Sequence, residues 1–186
     1  ITGKLGVSAA TVNSIVKVGA AKLVSSESYR NPVKVQAGET THNTLSSEQQ
    51  TIVTEVLTDF DAGRRQTYLI HGITGSGKTE VYMQLIGEMI KRGRQAIVLI
   101  PEIALTYQNV ERFCARFGTR VTVVNSRMTP SERADQMERA RRGEVSIMIG
   151  PRSALFAPFP DLGLIVIDEE HETSYKSEVT PRYHAR

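Results

Sequence analysis

Gly72-Ile73-Thr74-Gly75-Ser76-Gly77-Lys78-Thr79 is the stretch that decides the fold. Its spacing, Gly-x-x-x-x-Gly-Lys-Thr, is that of a phosphate-binding loop. Small residues let successive backbone N–H groups turn inward around a β-phosphate, and a Cβ at Gly77 would crowd that nest. A helix beginning near Lys78 aims the positive end of its dipole at the same anion. Lys78 is then placed to bridge β- and γ-phosphates, and the Thr79 hydroxyl to ligate Mg²⁺. The loop needs a strand before it and a helix after it. Apolar Tyr68–Ile70 and the helical pattern over 78–91 supply both expectations.

Outward from the loop, short apolar runs alternate with helical patterns. Strands are expected at Tyr68–Ile70, Ala96–Ile100, Val121–Val124, Ser146–Ile149 and Leu164–Ile167, with helices at about 78–91, 104–117 and 130–142. Gly93, Gly118 and Gly143 follow these helices as left-handed caps. Thr129-Pro130-Ser131-Glu132 opens the last of them with an N-cap, a proline at the first helical position and a capping-box acid. Ahead of the loop, Ser46-Ser47-Glu48-Gln49 is a second capping box. Ile52, Val53, Val56, Leu57 and Phe60 recur behind it at helical spacing, and Gly63 is the stop. Continuous apolar strands joined by single helices predict an α/β fold: a mostly parallel sheet covered by helices on both faces. Ligands of such sheets bind at the carboxyl ends of the strands.

Asp168-Glu169-Glu170-His171 follows the last apolar run directly. A carboxylate there lies beside the phosphate loop, where Asp168 can hold Mg²⁺ through water. Glu169 can orient and deprotonate a water attacking the γ-phosphorus. With the loop, this cluster reads as the second half of an ATP-hydrolysing site, with Lys78, Asp168 and Glu169 as its catalytic groups.

The chain has 186 residues, 40% hydrophobic and 23% charged, which excludes a wholly disordered, collagenous or disulfide-scaffold protein. Cys114, the single cysteine, can form neither an intramolecular disulfide nor a zinc site, which fits a reducing cytosol. No apolar run approaches the ~20 residues of a membrane span. The first residues, Ile1-Thr2-Gly3-Lys4, lack an initiator Met and suggest a piece of a longer chain. Net charge is +3, and residues 1–44 carry all of it, with five basic groups against two acids. That is a mild lead towards a polyanion. Leu5-Gly6-Val7-Ser8 reads as the turn of a helix-turn-helix with Ser8 as N-cap. A helix Ala9–Val18 would follow, with Val12, Ile15 and Val16 inward and Gly19 as its end, and Leu23–Arg30 would form a wing hairpin. Residues 1–35 are thus a partial winged helix, 36–44 a polar linker, and 45–186 the nucleotide-binding lobe.

The Asp-Glu-x-His form of the acidic motif points to superfamily 2 helicases. The runs Leu69–Glu80, Ile100-Pro-Glu-Ile-Ala-Leu-Thr106, Ser153-Ala-Leu-Phe156, Asp168-Glu-Glu-His-Glu172, Ser174-Tyr-Lys176 and Pro181-Arg-Tyr-His-Ala-Arg186 together resemble the primosomal replication-restart helicases. The resemblance implies a RecA-like lobe and a 3′→5′ DNA helicase acting at abandoned replication forks. Gln49 becomes the adenine-reading glutamine, an amide able to donate and accept at once. It joins Gly72, Ile73, Thr74, Gly75, Ser76, Gly77, Lys78, Thr79 and His171 in the nucleotide set, with Thr79 and Asp168 as the Mg²⁺ ligands. Thr106, Arg152, Ser153, Tyr175, Lys176, Arg182 and Tyr183 become DNA contacts, the tyrosines stacking on unpaired bases. Pro151 stands where the family writes Thr and removes an N–H, and Asn125-Ser126 stands where it shows His-Ser. Implied partners are forked and single-stranded DNA, primosome proteins and single-stranded-DNA-binding protein, in the bacterial cytoplasm near the nucleoid. ATP and Mg²⁺ are the implied cofactors, and the family's zinc region and second lobe are expected beyond residue 186. Another superfamily 2 translocase (RecG-like or restriction-type) and a nucleotide-gated DNA-binding scaffold are the alternative readings.

Overall fold

The computed structural model describes residues 8–22, 44–178, 180 and 182–185. Its architecture starts from helix ends that cap themselves. In α2 (Ser47–Asp61) the Ser46 hydroxyl accepts from the Gln49 amide at 3.2 Å, and Gln49 Oε1 accepts from the Ser46 amide at 2.9 Å. Thr129 and Glu132 make the same reciprocal pair ahead of α5 (Pro130–Arg141), with Pro130 at the first helical position. Each box satisfies two of the amides that a helix start leaves unbonded. Helix α1 (Ala9–Lys17) is capped by the Ser8 hydroxyl, which accepts from the Thr11 amide. Val12 and Val16 on it are half-buried, whereas Ile15, expected inward, is 40% exposed. The expected turn at Leu5–Val7, the wing and most of the linker lie outside the described residues.

Helix α3 (Lys78–Lys91), strand β1 (Gln95–Leu99), helix α4 (Tyr107–Phe117), strands β2 (Val121–Val123) and β3 (Ile147–Gly150), and strand β4 (Leu162–Ile167) complete the lobe. The four strands are all parallel, in the order β2-β3-β1-β4. Alternate residues of β1 serve opposite faces, as a pleated strand dictates. Ala96, Val98 and Ile100 pack with Tyr82, Met83 and Ile86 of α3 and Phe113 and Cys114 of α4. Ile97 and Leu99 pack with Ala140 and Met137 of α5 and with Tyr175. Both faces of β1, β2 and β3 are covered, so these strands lose contact with water on two sides, whereas β4 stays partly open, with Ile165 43% exposed. Burying one such aliphatic side chain is worth about 1.5–3 kcal/mol. A third cluster, Val53 and Val56 against Val81 and Leu85, seats α2 on α3.

One expected strand is missing. Tyr68–Ile70 pairs with no strand, although Tyr68 and Ile70 point inward against Leu164 and Leu69 points out, 79% exposed. The alternation is there, but no ladder forms. The Tyr68 hydroxyl instead donates to the Asp59 carboxylate on α2, and β4 stands as the sheet's edge among the described residues. The helix expected from 104 begins at Tyr107, because Glu102–Ala104 forms a separate 3₁₀ turn and the Thr106 hydroxyl caps α4 by accepting from the Asn109 amide. Gly163 is a bulge between Leu162 and Leu164, where a Cβ would lie 2.6 Å from the Arg94 Cβ.

Parallel strands place all their carboxyl ends on one side of the sheet. The segments that leave those ends, 100–106, 124–129, 150–156 and 168–171, therefore share one edge, and it is the edge that carries the sequence motifs.

Candidate functional site

The phosphate loop turns on two left-handed glycines, Gly75 at φ +83° and Gly77 at φ +81°. Gly77 is also the N-cap of α3 and gives it no side-chain cap, which leaves the helix's first amides open to an anion. The Ser76 amide donates to the Ile73 carbonyl at 3.2 Å and closes the turn. A Cβ at Gly77 would meet Gln49 Nε2 at 2.4 Å. The crowding expected from the nest comes instead from a side chain of α2, that of Gln49. The Lys78 ammonium lies back over the loop and donates to the Gly72 and Ile73 carbonyls at 2.7 and 3.1 Å.

Across from the loop, β4 ends at Ile167 and the Asp168 amide donates to the Leu99 carbonyl, which prolongs the β1–β4 pairing by one residue. The Asp168 carboxylate is gripped at both oxygens. Oδ1 accepts from the Glu169 amide at 3.1 Å, and Oδ2 accepts from the Tyr82 hydroxyl at 3.1 Å. The same hydroxyl donates towards Thr79 Oγ1 at 3.3 Å. The side chains expected to hold Mg²⁺, Thr79 and Asp168, are thus brought to one point. Burial first, and then the neighbouring Asp168 charge, push the Tyr82 phenol far above its ordinary pKa, so it stays a donor. Glu169 carries a positive φ of +49°, the one non-glycine residue to do so among those described. Strain of this kind gathers at functional turns. Exposed His171 places Nε2 at 3.7 Å from Glu169 Oε2.

A hydroxyl and a carboxylate, both oxygen donors, suit a hard cation that keeps several waters and takes its remaining ligands from phosphate. Among the described residues no group of three or more His, Cys, Asp or Glu side chains could hold a metal on its own. The donor set therefore fits Mg²⁺ carried in with a nucleotide.

The residues expected to face DNA divide. Thr106 is exposed at the start of α4, its hydroxyl engaged as the helix cap. Arg152 Nη1 donates to the Ser174 and Lys176 carbonyls at 3.0 and 2.7 Å, so its guanidinium pins the turn that follows the acidic motif. Ser153 is half-buried in the 3₁₀ turn after β3, and Lys176 and Arg182 are exposed. Tyr183 packs edge-on to Phe156 at 5.1 Å between ring centroids. Tyr175 corrects the expectation. It is 1% exposed, in the core between β1 and α5, and its hydroxyl donates to the Leu99 and Asp168 carbonyls. A ring so placed offers no face to a base. An aromatic residue inside a polar segment looked like surface, but the two strand-end carbonyls needed a donor.

Sequence reasoning passed over Tyr82, which falls within the helical pattern over 78–91. The usable signal was its spacing of three from Thr79, which puts both on one helix face. It also passed over Glu102, whose carboxylate accepts from the Ser126 amide at 2.9 Å and ties the turn after β1 to the turn after β2.

A phosphate loop and an Asp-Glu-Glu-His turn at the carboxyl edge of a parallel sheet are what the DEAD/DEAH box helicases have in common with this site. The profile of that family matches residues 46–185, and the chain belongs to it. Within it, the chain is similar to replication restart protein PriA. It is 43% identical to the Bacillus subtilis protein over 184 residues, 98% of this chain and 23% of that protein. Against PriA of Synechocystis identity is 41% over 184 residues, 96% of this chain and 21% of the relative. Against that of Haemophilus influenzae it is 47% over 143 residues, 77% and 19%. The chain thus spans about a fifth of the length of the curated relatives it matches. No helix among the described residues is long and apolar enough to cross a membrane.

Proposed function

We propose that residues 45–186 are the ATP-binding lobe of a DNA motor that works in replication restart, moving 3′→5′ on single strands at stalled or abandoned forks. The supporting observation is the meeting of Thr79 and Asp168 at the Tyr82 hydroxyl, beside a loop whose lysine and glycines are set for phosphate. Lys78 would leave the Gly72 and Ile73 carbonyls for the β- and γ-phosphates. Mg²⁺, held by Thr79 directly and by Asp168 through water, would neutralise charge on the phosphate oxygens. Glu169 would take the proton of the attacking water, and His171 would stand beside the γ-phosphate. Gln49 would turn its amide to adenine. Thr106, Arg152, Ser153, Lys176, Arg182 and Tyr183 would meet the strand, with Tyr175 acting from within the core. Partners of the whole protein, by the same reading, are forked DNA, primosome proteins and single-stranded-DNA-binding protein, in the bacterial cytoplasm.

Turnover by this chain alone should be slow. Phosphoryl-transfer sites closed by an arginine finger gain about 10³–10⁵ in rate from it. Arg182, on the segment after the acidic motif, belongs to the DNA-facing set, and by this reading the finger comes from the family's second lobe. The test is nucleotide binding by titration calorimetry with ADP and Mg²⁺. A charge-assisted contact to phosphate is worth roughly 1.5–3 kcal/mol, so Lys78→Ala should weaken binding about ten-fold or more. Equal affinity in the two proteins would refute the phosphate-loop reading.

A further inference from the structure

We propose that Tyr82 is a positioning residue for the divalent ion: its hydroxyl ties the Thr79 hydroxyl to the Asp168 carboxylate and sets the geometry of the metal site before nucleotide arrives. The inference rests on the nucleotide reading above and goes further, because it assigns a task to a residue of the helix core.

The geometry is specific. Tyr82 is 6% exposed, and its ring lies stacked on Phe113 of α4 at 6.2 Å and 16° between planes. Phe113 packs in turn against Phe117 at 6.4 Å. The ring is therefore fixed by apolar packing at its base, and only the hydroxyl reaches the polar edge of the sheet. There it has one proton for two acceptors, Asp168 Oδ2 at 3.1 Å and Thr79 Oγ1 at 3.3 Å, and the charged carboxylate is the stronger acceptor. With Oδ1 held by the Glu169 amide, the carboxylate cannot rotate without breaking one of two bonds. A small cation that demands near-ideal octahedral geometry is sensitive to this restraint. Groups that orient metal ligands without touching the metal typically change affinity by about 10–100-fold when removed.

Tyr82→Phe keeps the ring, its stacking on Phe113 and the fold, and removes only the hydroxyl. The experiment titrates MgCl₂ into the 186-residue chain with a fluorescent (methylanthraniloyl) ADP, and records the Mg²⁺ concentration at half-maximal binding. It also records the metal-free affinity in EDTA and the melting temperature. Tyr82→Phe should raise the Mg²⁺ midpoint about ten-fold and leave the EDTA affinity unchanged. Val145→Ala opens a cavity in the core cluster that does not include Tyr82. It should lower the melting temperature and leave the Mg²⁺ midpoint in place. An unchanged midpoint in Tyr82→Phe overturns the proposal, and so does a midpoint that Val145→Ala moves as far. If the unaltered chain binds no nucleotide at all, with or without Mg²⁺, it is the nucleotide reading that has failed.

Discussion

Gln49 on α2 donates its Nε2 to the Ser76 carbonyl of the phosphate loop, at 3.0 Å and across a separation of 27 residues. Its Oε1 meanwhile accepts from the Ser46 amide at 2.9 Å. Both ends of one side-chain amide are engaged, one closing the start of a helix and the other holding the loop. A residue expected to read adenine is also a strap between α2 and the loop.

Two substitutions separate these tasks. Gln49→Ala loses both bonds and should lower the melting temperature by about 2–4 °C, the consequence of roughly 1 kcal/mol at this chain length, and weaken ADP. Gln49→Glu keeps an acceptor for the Ser46 amide but has nothing to donate to Ser76. It should melt near the unaltered protein and still bind ADP more weakly. Differential scanning fluorimetry and calorimetry read the two effects, and ADP affinity equal in all three proteins would dismiss the strap.

Glu169 holds its positive φ of +49° at the turn that follows β4. Glycine adopts that conformation without the steric penalty of a Cβ, and a strained residue of this kind costs about 1–3 kcal/mol. Glu169→Gly should therefore melt about 2–4 °C above Glu169→Ala, since about 1 kcal/mol remains after glycine's extra freedom in the unfolded chain is subtracted. Alanine keeps the strain and glycine relieves it, while both lose the carboxylate. Thermal melts in one buffer settle it, and a glycine variant no more stable than the alanine one would show that the turn carries no strain.

Glu102 gives the lobe an acid-sensitive joint. Hydrogen bonds from the Ser126 side chain and then its amide hold the carboxyl below its ordinary value of 4.5, against partial desolvation, with Arg127 and Arg133 assisting. A carboxyl lowered on folding stabilises fully above its unfolded pKa, and that contribution fades as pH falls through the folded one. The loss should set in below about pH 4.5. Melting curves collected downward from that point should fall less steeply in Glu102→Gln than in the unaltered protein. Parallel slopes would remove Glu102 from the acid response.

Much of the lobe was legible because its signals are local. The boxes at Ser46 and Thr129 stand as their spacing implies, and the loop glycines carry the positive φ that the motif requires. What failed were questions of partnership. Tyr68–Ile70 alternates like a strand, yet a strand exists only where a neighbour shares its hydrogen bonds, and alternation says nothing of that. Arg152 enters the DNA-facing set by resemblance to the family, and its own window of sequence gives no sign of the two carbonyls that engage its guanidinium. Tyr175 and Tyr82 each look like one thing in a window of sequence and are another in space, because their hydroxyls serve groups far along the chain.

Tyr175 joins the Leu99 carbonyl at the end of β1 to the Asp168 carbonyl at the end of β4, while Arg152 holds the carbonyls on either side of it, at Ser174 and Lys176. Mechanically this is a lever without slack. The arm is made of residues 173–177 and 184–185, tied together by the Lys176–His184 bridge and by the Ala185 amide, which donates to the Tyr175 carbonyl. The fulcrum is Leu99, whose strand has a parallel neighbour on each side. The Tyr175 hydroxyl is bonded to the carbonyl of the peptide between Asp168 and Glu169, the joint that carries a positive φ. Force applied at the surface would thus reach the backbone unit from which the Glu169 carboxylate hangs.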